Sequence, residues 1–198
     1  MGRWGRRGFD RGHAAAILDG GAPGASPATP GSGEKGPRRP MTGKIAVGGI
    51  THTDDLVLVR VLGARAGAPL ASRALDVLGQ AGINVVCCAA IGDLQDRQNL
   101  GVAIGSGDLD QTLGLLRDVL DEIGAERIEV RRRCSAIAVY GPQFSGSPAV
   151  GARIFQAADA AGVATHMITT SFTTVAFLVD TDDAEAAVTA LHEVFVAP

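Results

Sequence analysis

Cysteine is scarce in this sequence: three among 198 residues, Cys87, Cys88 and Cys134. An odd number, two of them adjacent, suits neither a disulfide framework nor a zinc site, which needs spaced ligands. The expectation is buried thiols in a reducing cytosol, with no metal site. No run of 18 apolar residues occurs, which excludes a membrane-spanning helix. The phosphate loop GxxxxGK[ST] is missing, and the Gly105-Ser106-Gly107 turn lacks GxGxxG spacing, so neither nucleotide fingerprint is present. His52 lies near Asp54 and Asp55, but one short loop makes no acid–base or metal constellation. His166 and His192 have no partner that the sequence places beside them. No catalytic residue and no cofactor is expected.

What is present is unevenly spread. Residues 1–40 hold 10 of the 27 glycines, 5 of the 9 prolines and the single tryptophan, Trp4. Such a stretch has little to bury against the entropy of ordering it, so 1–43 is expected to be a disordered tail. Seven Lys/Arg against three Asp/Glu give it a charge of +4, and the remainder, eleven against eighteen, carries −7. Glycines and prolines would break the amphipathic helix of a transit peptide. One Trp and one Phe offer little stacking surface for RNA. The tail reads as an inert extension, or translation starts at Met41 rather than Met1. A body at −7 argues against sequence-independent nucleic-acid binding.

The body contains one unit twice. Pro69 opens a helix in APLASRAL (68–75) and Pro148 opens another in SPAVGARIF (147–155), 79 residues further on. The exits AGIN (81–84) and AGVA (161–164) lie 80 apart, so the period is a small domain and not a solenoid turn. Strands are expected at 44–50, 56–62, 84–91, 100–104, 127–131, 136–140, 163–169 and 175–179. Helices are expected over 69–81, after a cap at Asp108, over 148–161, and after a cap at Asp182. The first copy is then β-α-β-β-α-β, the ferredoxin-like split arrangement. The second lacks its last strand, while strand 44–50 belongs to no unit. Counting resolves both: the front strand completes the second sheet. The predicted fold is α+β, with a first unit at 51–133 and a second at 134–198 completed by 44–50. Cutting near Arg133 should then unfold at least the second.

Two glycine-bearing loops, 63–68 and 141–147, join a strand to a helix. Unpaired backbone N–H groups at such a turn, with the helix dipole, can hold a carboxylate; a plain tight turn is the alternative. The second is richer in donors, through Gln143, Ser145 and Ser147. Thr169, Thr170, Ser171, Thr173 and Thr174 crowd one hairpin, which suits ligand binding, sheet pairing or an ordinary amphipathic hairpin. Arg131–Arg133 reads as a solvated strand end.

With AGIN, SPAVGARIF and DTDDAEAAVTALHEVF (180–195) on the page, the two units resemble ACT domains in the order of the regulatory half of aspartate kinase. The resemblance covers about 44–195 and implies a separate, non-catalytic regulatory chain, since neither a Lys-Phe-Gly-Gly nucleotide motif nor the length of a kinase domain is present. It implies a cytoplasmic protein that dimerises by pairing ACT sheets side by side or joins an aspartate kinase catalytic chain. The effector would be an amino acid of aspartate-family biosynthesis, such as lysine or threonine. The sites it implies are Ser145, Ser147, Pro148, Ala149, Val150, Thr170 and Ser171, with Asn84 in the first unit. The carboxylate would rest on the backbone N–H groups of 147–150. The first loop departs from the family: Ala66 replaces the acid that would meet an ammonium, and Ala90 and Ile91 replace a Gln-Asn pair. Ala149 and Ala164 are departures in the second unit. A buried ammonium without a partner is costly, so the first site is expected to have lost its effector. An effector-blind scaffold that mediates dimerisation or partner binding is the alternative.

Overall fold

The structure is a computed structural model that describes residues 43–141, 144 and 149–197. The tail assigned to 1–43 lies outside the described residues except for Gly43. Among them the elements are β1 (Ile45–Ala46), β2 (Gly49–Ala64), α1 (Leu70–Gln80), β3 (Val85–Gly92), β4 (Gln98–Gly105), α2 (Leu109–Ile123), β5 (Arg127–Tyr140), α3 (Ala149–Ala160), β6 (Met167–Thr170), β7 (Thr174–Asp180), α4 (Ala184–Val194) and β8 (Phe195–Val196). Six strands form one antiparallel sheet in the order β3-β4-β2-β5-β7-β6. Outward from the central pair β2 and β5, each side repeats one arrangement. The second strand of a hairpin comes next, and its first strand forms the edge.

β2 and β5 are long because each serves both ends of the sheet. Gly49–Thr53 of β2 pairs with Ala136–Tyr140 of β5, while residues 56–62 pair with 127–134. Between these stretches the register shifts, and Asp55 and Arg133 take left-handed φ of 58° and 57°. Such angles are uncommon without glycine, and here they turn the two strands together. The front strand therefore closes the second half of the sheet as expected, but through Gly49–Thr53, of which only Gly49 and Ile50 fall within the expected 44–50. Ile45 and Ala46 instead pair in parallel with Phe195 and Val196. A short strand thus follows α4, and Phe195 belongs to it and not to the helix. The expected separate strands 127–131 and 136–140 are one strand, and Arg133 lies inside β5 at its bend.

The sheet bends until its helix-free faces meet. Val57, Val59 and Val61 of β2 pack under α1 and α2 with Leu70, Leu78 and Leu116. The alternate residues Leu56 and Leu58 point the other way, into a layer with Ala103, Ala136, Met167 and Leu178. This explains the unbroken run LVLV at 56–59, where every residue is buried: a strand covered on both faces has no polar side to show. Edge strands β3 and β6 approach each other. A Cβ on Gly101 would lie 3.0 Å from the sulfur of Met167, so the glycine lets β6 settle onto β4. On the far side α3 and α4 cover Ile137, Val139, Val175, Phe177 and Val179.

Helix starts differ from expectation in their chemistry. Asp108 ends a 3-10 turn, Ser106–Asp108, and makes no side-chain cap hydrogen bond; Thr181–Asp183 does the same before α4, where Asp183 and not Asp182 holds the cap position. The preceding 3-10 turn takes the place of the side-chain cap.

Candidate functional site

The loop at 63–68 uses its own polar groups. Gly63, at φ +73°, donates its N–H to Asn99 Oδ1 at 2.9 Å and accepts from Arg97 at 3.2 Å through its carbonyl. The N–H groups of Arg65, Ala68 and Leu70 donate to Ile123, Arg65 and Ala68. The Arg65 guanidinium lies on the C-terminal end of α2, donating to the carbonyls of Ile123 and Glu122 at 3.2 Å each. Carbonyls and dipole favour a cation there. Arg65 crosses so close to Gly124, at φ +62°, that a Cβ would lie 2.4 Å from its Nε. Three backbone N–H groups of the loop, those of Gly63, Arg65 and Ala68, and the Arg65 guanidinium are thus committed to the protein.

Ser145, Ser147 and Pro148, with Gln143, lie outside the described residues. Ala149 opens α3, and the Val150 side chain is buried in the α3–α4 core, which leaves only its backbone for a ligand. Thr170 is exposed at the end of β6. The Ser171 hydroxyl accepts from the N–H groups of Thr173 and Thr174 at 3.3 and 3.1 Å, so it holds its own turn. Gly141 donates to the Thr173 carbonyl at 2.8 Å, which sets this hairpin tip beside the loop leaving β5. Asn84 is exposed at the entrance to β3. The structure thus groups Thr170 and Ser171 with Gly141, and places Asn84 at the other hairpin of the sheet.

Two polar clusters join residues noted in the sequence to distant partners that it does not place beside them. Arg131 grips Asp180 through two bonds of 2.8 and 2.7 Å, with His166 Nε2 at 3.2 Å from the same carboxylate. The Arg131 hydrogen bonds, more than the nearby His166, hold the Asp180 carboxyl down at about 2. Arg133 pairs with Asp182 at 2.6 Å, both side chains about three-quarters exposed, so the run is solvated at Arg132 and Arg133 as expected but lies inside β5 and not at a strand end. His166, just ahead of β6, lies beside a carboxylate that sequence could not place, though its Nε2 makes no aligned hydrogen bond to it. In the second cluster, the buried Ser135 hydroxyl donates to Asp54 Oδ1 at 2.6 Å, and His52 lies 2.8 Å from Asp54 Oδ2. The Ser135 bond first, then His52, lowers the Asp54 pKa. Both donors converge on one carboxylate, which is a brace and not a nucleophile with its base.

The cysteines depart in part from expectation. Cys134 is buried and Cys87 partly so, but Cys88 is exposed on β3. Burial pushes the Cys87 thiol up to about 11, which keeps it protonated at neutral pH. Among the described residues no three His, Cys, Asp or Glu side chains group to hold a metal, and no helix is long and apolar enough to cross a membrane.

This is a mixed α/β chain with the ferredoxin-like ACT fold. Residues 137–195 match the ACT domain family. The chain resembles the regulatory region of aspartate kinases. It is 25% identical to aspartokinase 2 of Bacillus subtilis (strain 168) over 155 residues, 78% of this chain but 38% of that protein. It superposes on the ligand-free regulatory subunit of aspartate kinase from Thermus thermophilus with a TM-score of 0.69 at 26% identity, over 76% of this chain and 99% of that one. A solved structure of aspartokinase alpha and beta subunits matches with a TM-score of 0.68 at 27% identity, covering 75% of this chain and 98% of that chain. The chain thus spans less than two-fifths of the B. subtilis kinase's length and nearly all of the separate regulatory subunit.

Proposed function

We propose that this chain is a non-catalytic regulatory protein built of two ACT units, 51–133 and 134–198, the second completed from the N-terminal side. It acts by binding a small amino acid, a kinase catalytic chain, or both, in aspartate-family biosynthesis. The observation that supports this is extent: the matched body corresponds to a whole regulatory subunit. The effector site would lie where the hairpin tip at Thr170 and Ser171 meets the loop at 141–149, with the carboxylate on the backbone N–H groups of 147–150. An effector there would shift assembly with a second copy or a kinase chain by its differential affinity for the two states.

Effector-blind scaffolding is the second reading, and the loop at 63–68 favours it for the first unit, because the Gly63, Arg65 and Ala68 N–H groups are already spent. Isothermal titration against a panel including lysine, threonine and methionine tests the proposal. Saturable binding of one of them, weakened by Thr170→Val, is the expected result. No binding across the panel, with dimerisation or capture of an aspartate kinase catalytic chain retained, leaves the scaffold. ATP-dependent phosphorylation of aspartate by the purified chain would overturn both.

A further inference from the structure

Between the bent ends of the sheet lies a cleft of about 190 Å³, lined by Leu58, Arg60, Ala89, Ile91, His166 and Met167 among others. Gly101 lies in its floor, where Met167 and Leu58 close over the missing side chain. Its walls are mainly apolar, and the polar side chains that line it are Arg60, Asn99 and His166. Arg60 Nε and His166 Nε2 are both buried without a hydrogen-bond partner. Arg60 has only Glu129 at 3.9 Å; His166 Nε2 is 3.2 Å from Asp180 Oδ1 but poorly aligned to it. The His166 side chain is 11% exposed, so water reaches it little. A buried donor left unpaired costs ~1–3 kcal/mol, and two in one small cleft form a pair of the same polarity. In the tautomer protonated on Nε2, His166 donates as Arg60 does.

We propose that this cleft binds a small apolar monocarboxylate, whose oxygens accept from Arg60 Nε and His166 Nε2 while its alkyl group lies against Leu58, Ala89, Ile91 and Met167. The size restricts the ligand to a few carbon atoms, since drug-sized sites run to roughly 300–1,000 Å³. Two donor nitrogens without partners in one cleft select an anion. Nothing on the cleft wall is an acid that would take up an ammonium, which separates this site from the loop site of the proposed regulatory function. A ligand here would also fix the angle between the two ends of the sheet, because Met167 comes from one end and Leu58 and Gly101 from the other.

The sequence supplies its own probe. It has three methionines, Met1, Met41 and Met167; Met167 lines the cleft, while the other two lie outside the described residues. The full chain labelled with 13C-methyl methionine is titrated with isovalerate and, separately, with the uncharged 3-methylbutan-1-ol. Isovalerate should shift the Met167 methyl signal saturably, and the alcohol should need at least tenfold more. Arg60→Met, which keeps the aliphatic stem, should weaken isovalerate at least tenfold, and Ala89→Leu, which fills the cleft from β3, should abolish the shift. If Arg60→Met loses the dispersed Met167 signal of the folded chain, Ala89→Leu and the acid–alcohol comparison decide. An unmoved Met167, equal response to acid and alcohol, or Ala89→Leu responding like the parent overturns the site. Lysine or threonine bound at the loops leaves the cleft unfilled, so failure of one site is read separately from failure of the other.

Discussion

The two ends of the sheet share a strand arrangement but fill it differently. Under α1 and α2 the core is a bed of aliphatic side chains, Leu70, Leu78, Leu109, Leu116 and Ile123 among them. The helices are also bridged at the surface, where Arg73 meets Glu122 through bonds of 2.7 to 3.2 Å. Under α3 and α4 the helices contribute Ala157, Ala158, Ala184 and Ala187 beside Val150, Ile154 and Leu191, and two buried rings are added, Phe195 and Phe177, the latter edge-on to Phe155 at 5.7 Å. Helix spacing follows the size of the side chains at the contact. One topology therefore accepts an aliphatic core or one that mixes small residues with buried rings, and the mixed core depends more on its largest members.

Phe177→Ala is the sharpest way to break that contrast. Its side chain is fully buried, and truncation at such a site costs ~3–5 kcal/mol. Leu116→Ala in the other half should cost less, ~2–4 kcal/mol, because neighbouring leucines can relax into the space. Urea midpoints at constant m-value give both numbers. A larger loss for Leu116 would show that the aliphatic bed is no more forgiving than the ring.

The halves also treat buried hydroxyls in opposite ways. Among the described residues Thr112 and Ser135 are the buried polar side chains, and Thr112 Oγ1 has no partner whereas Ser135 donates to Asp54 and lies 3.1 Å from Thr181 Oγ1. Ser135→Ala should destabilise by ~1–2 kcal/mol, since it removes a bond to a charged acceptor. Thr112→Val, of the same shape, should be neutral or stabilising by up to ~1 kcal/mol, because it removes an unpaired group. Thermal midpoints of the two variants should move in opposite directions or, at the least, by clearly unequal amounts.

Much of this was legible in the residues, and the remainder was hidden for a physical reason. The stripe Leu109, Leu116, Ile123 gave α2 because burial follows helical spacing, and the count of strands gave a front strand closing the rear of the sheet. The position of that strand was not legible. Asp55 and Arg133 bend β2 and β5 by single left-handed residues, and neither is a glycine, so nothing in the letters marks the bend. Arg131 and Asp180 are 49 residues apart and Ser135 and Asp54 are 81 apart; local patterning carries no trace of such pairs. The lone Arg60 inside LVLVRVL was a usable signal, since a charge in a run buried on both faces needs a reason. Of the binding residues inferred by resemblance, Thr170, Ser171 and Asn84 are located but without side-chain geometry that converges.

Asp180 joins the ends, since it leaves β7 to grip Arg131 where β5 passes between the halves. Asp180→Asn should cost about 1 kcal/mol at neutral pH, a value discounted because both side chains are about one-third or more exposed. The sign with pH follows from the depression to about 2 against roughly 3.9 in an unfolded chain. The stabilisation is complete above about pH 4 and is lost as pH falls through the folded value. The gap between parent and variant in urea midpoint should therefore be constant from pH 7 to pH 5 and narrow toward pH 2.

The smallest effect belongs to the surface bridge of the first half. Arg73 and Glu122 are 38% and 50% exposed, and exposed pairs contribute little even when well aligned. The bond raises the Arg73 pKa and lowers that of Glu122, so the coupling is present but solvent-screened. A double-mutant cycle of Arg73→Gln and Glu122→Gln should return a small coupling at low salt and less at 1 M, where the screening length is about 3 Å. A coupling that equals the loss from Phe177→Ala would reverse the contrast between the halves, making the bridge and not the aliphatic bed the main hold on α1 and α2.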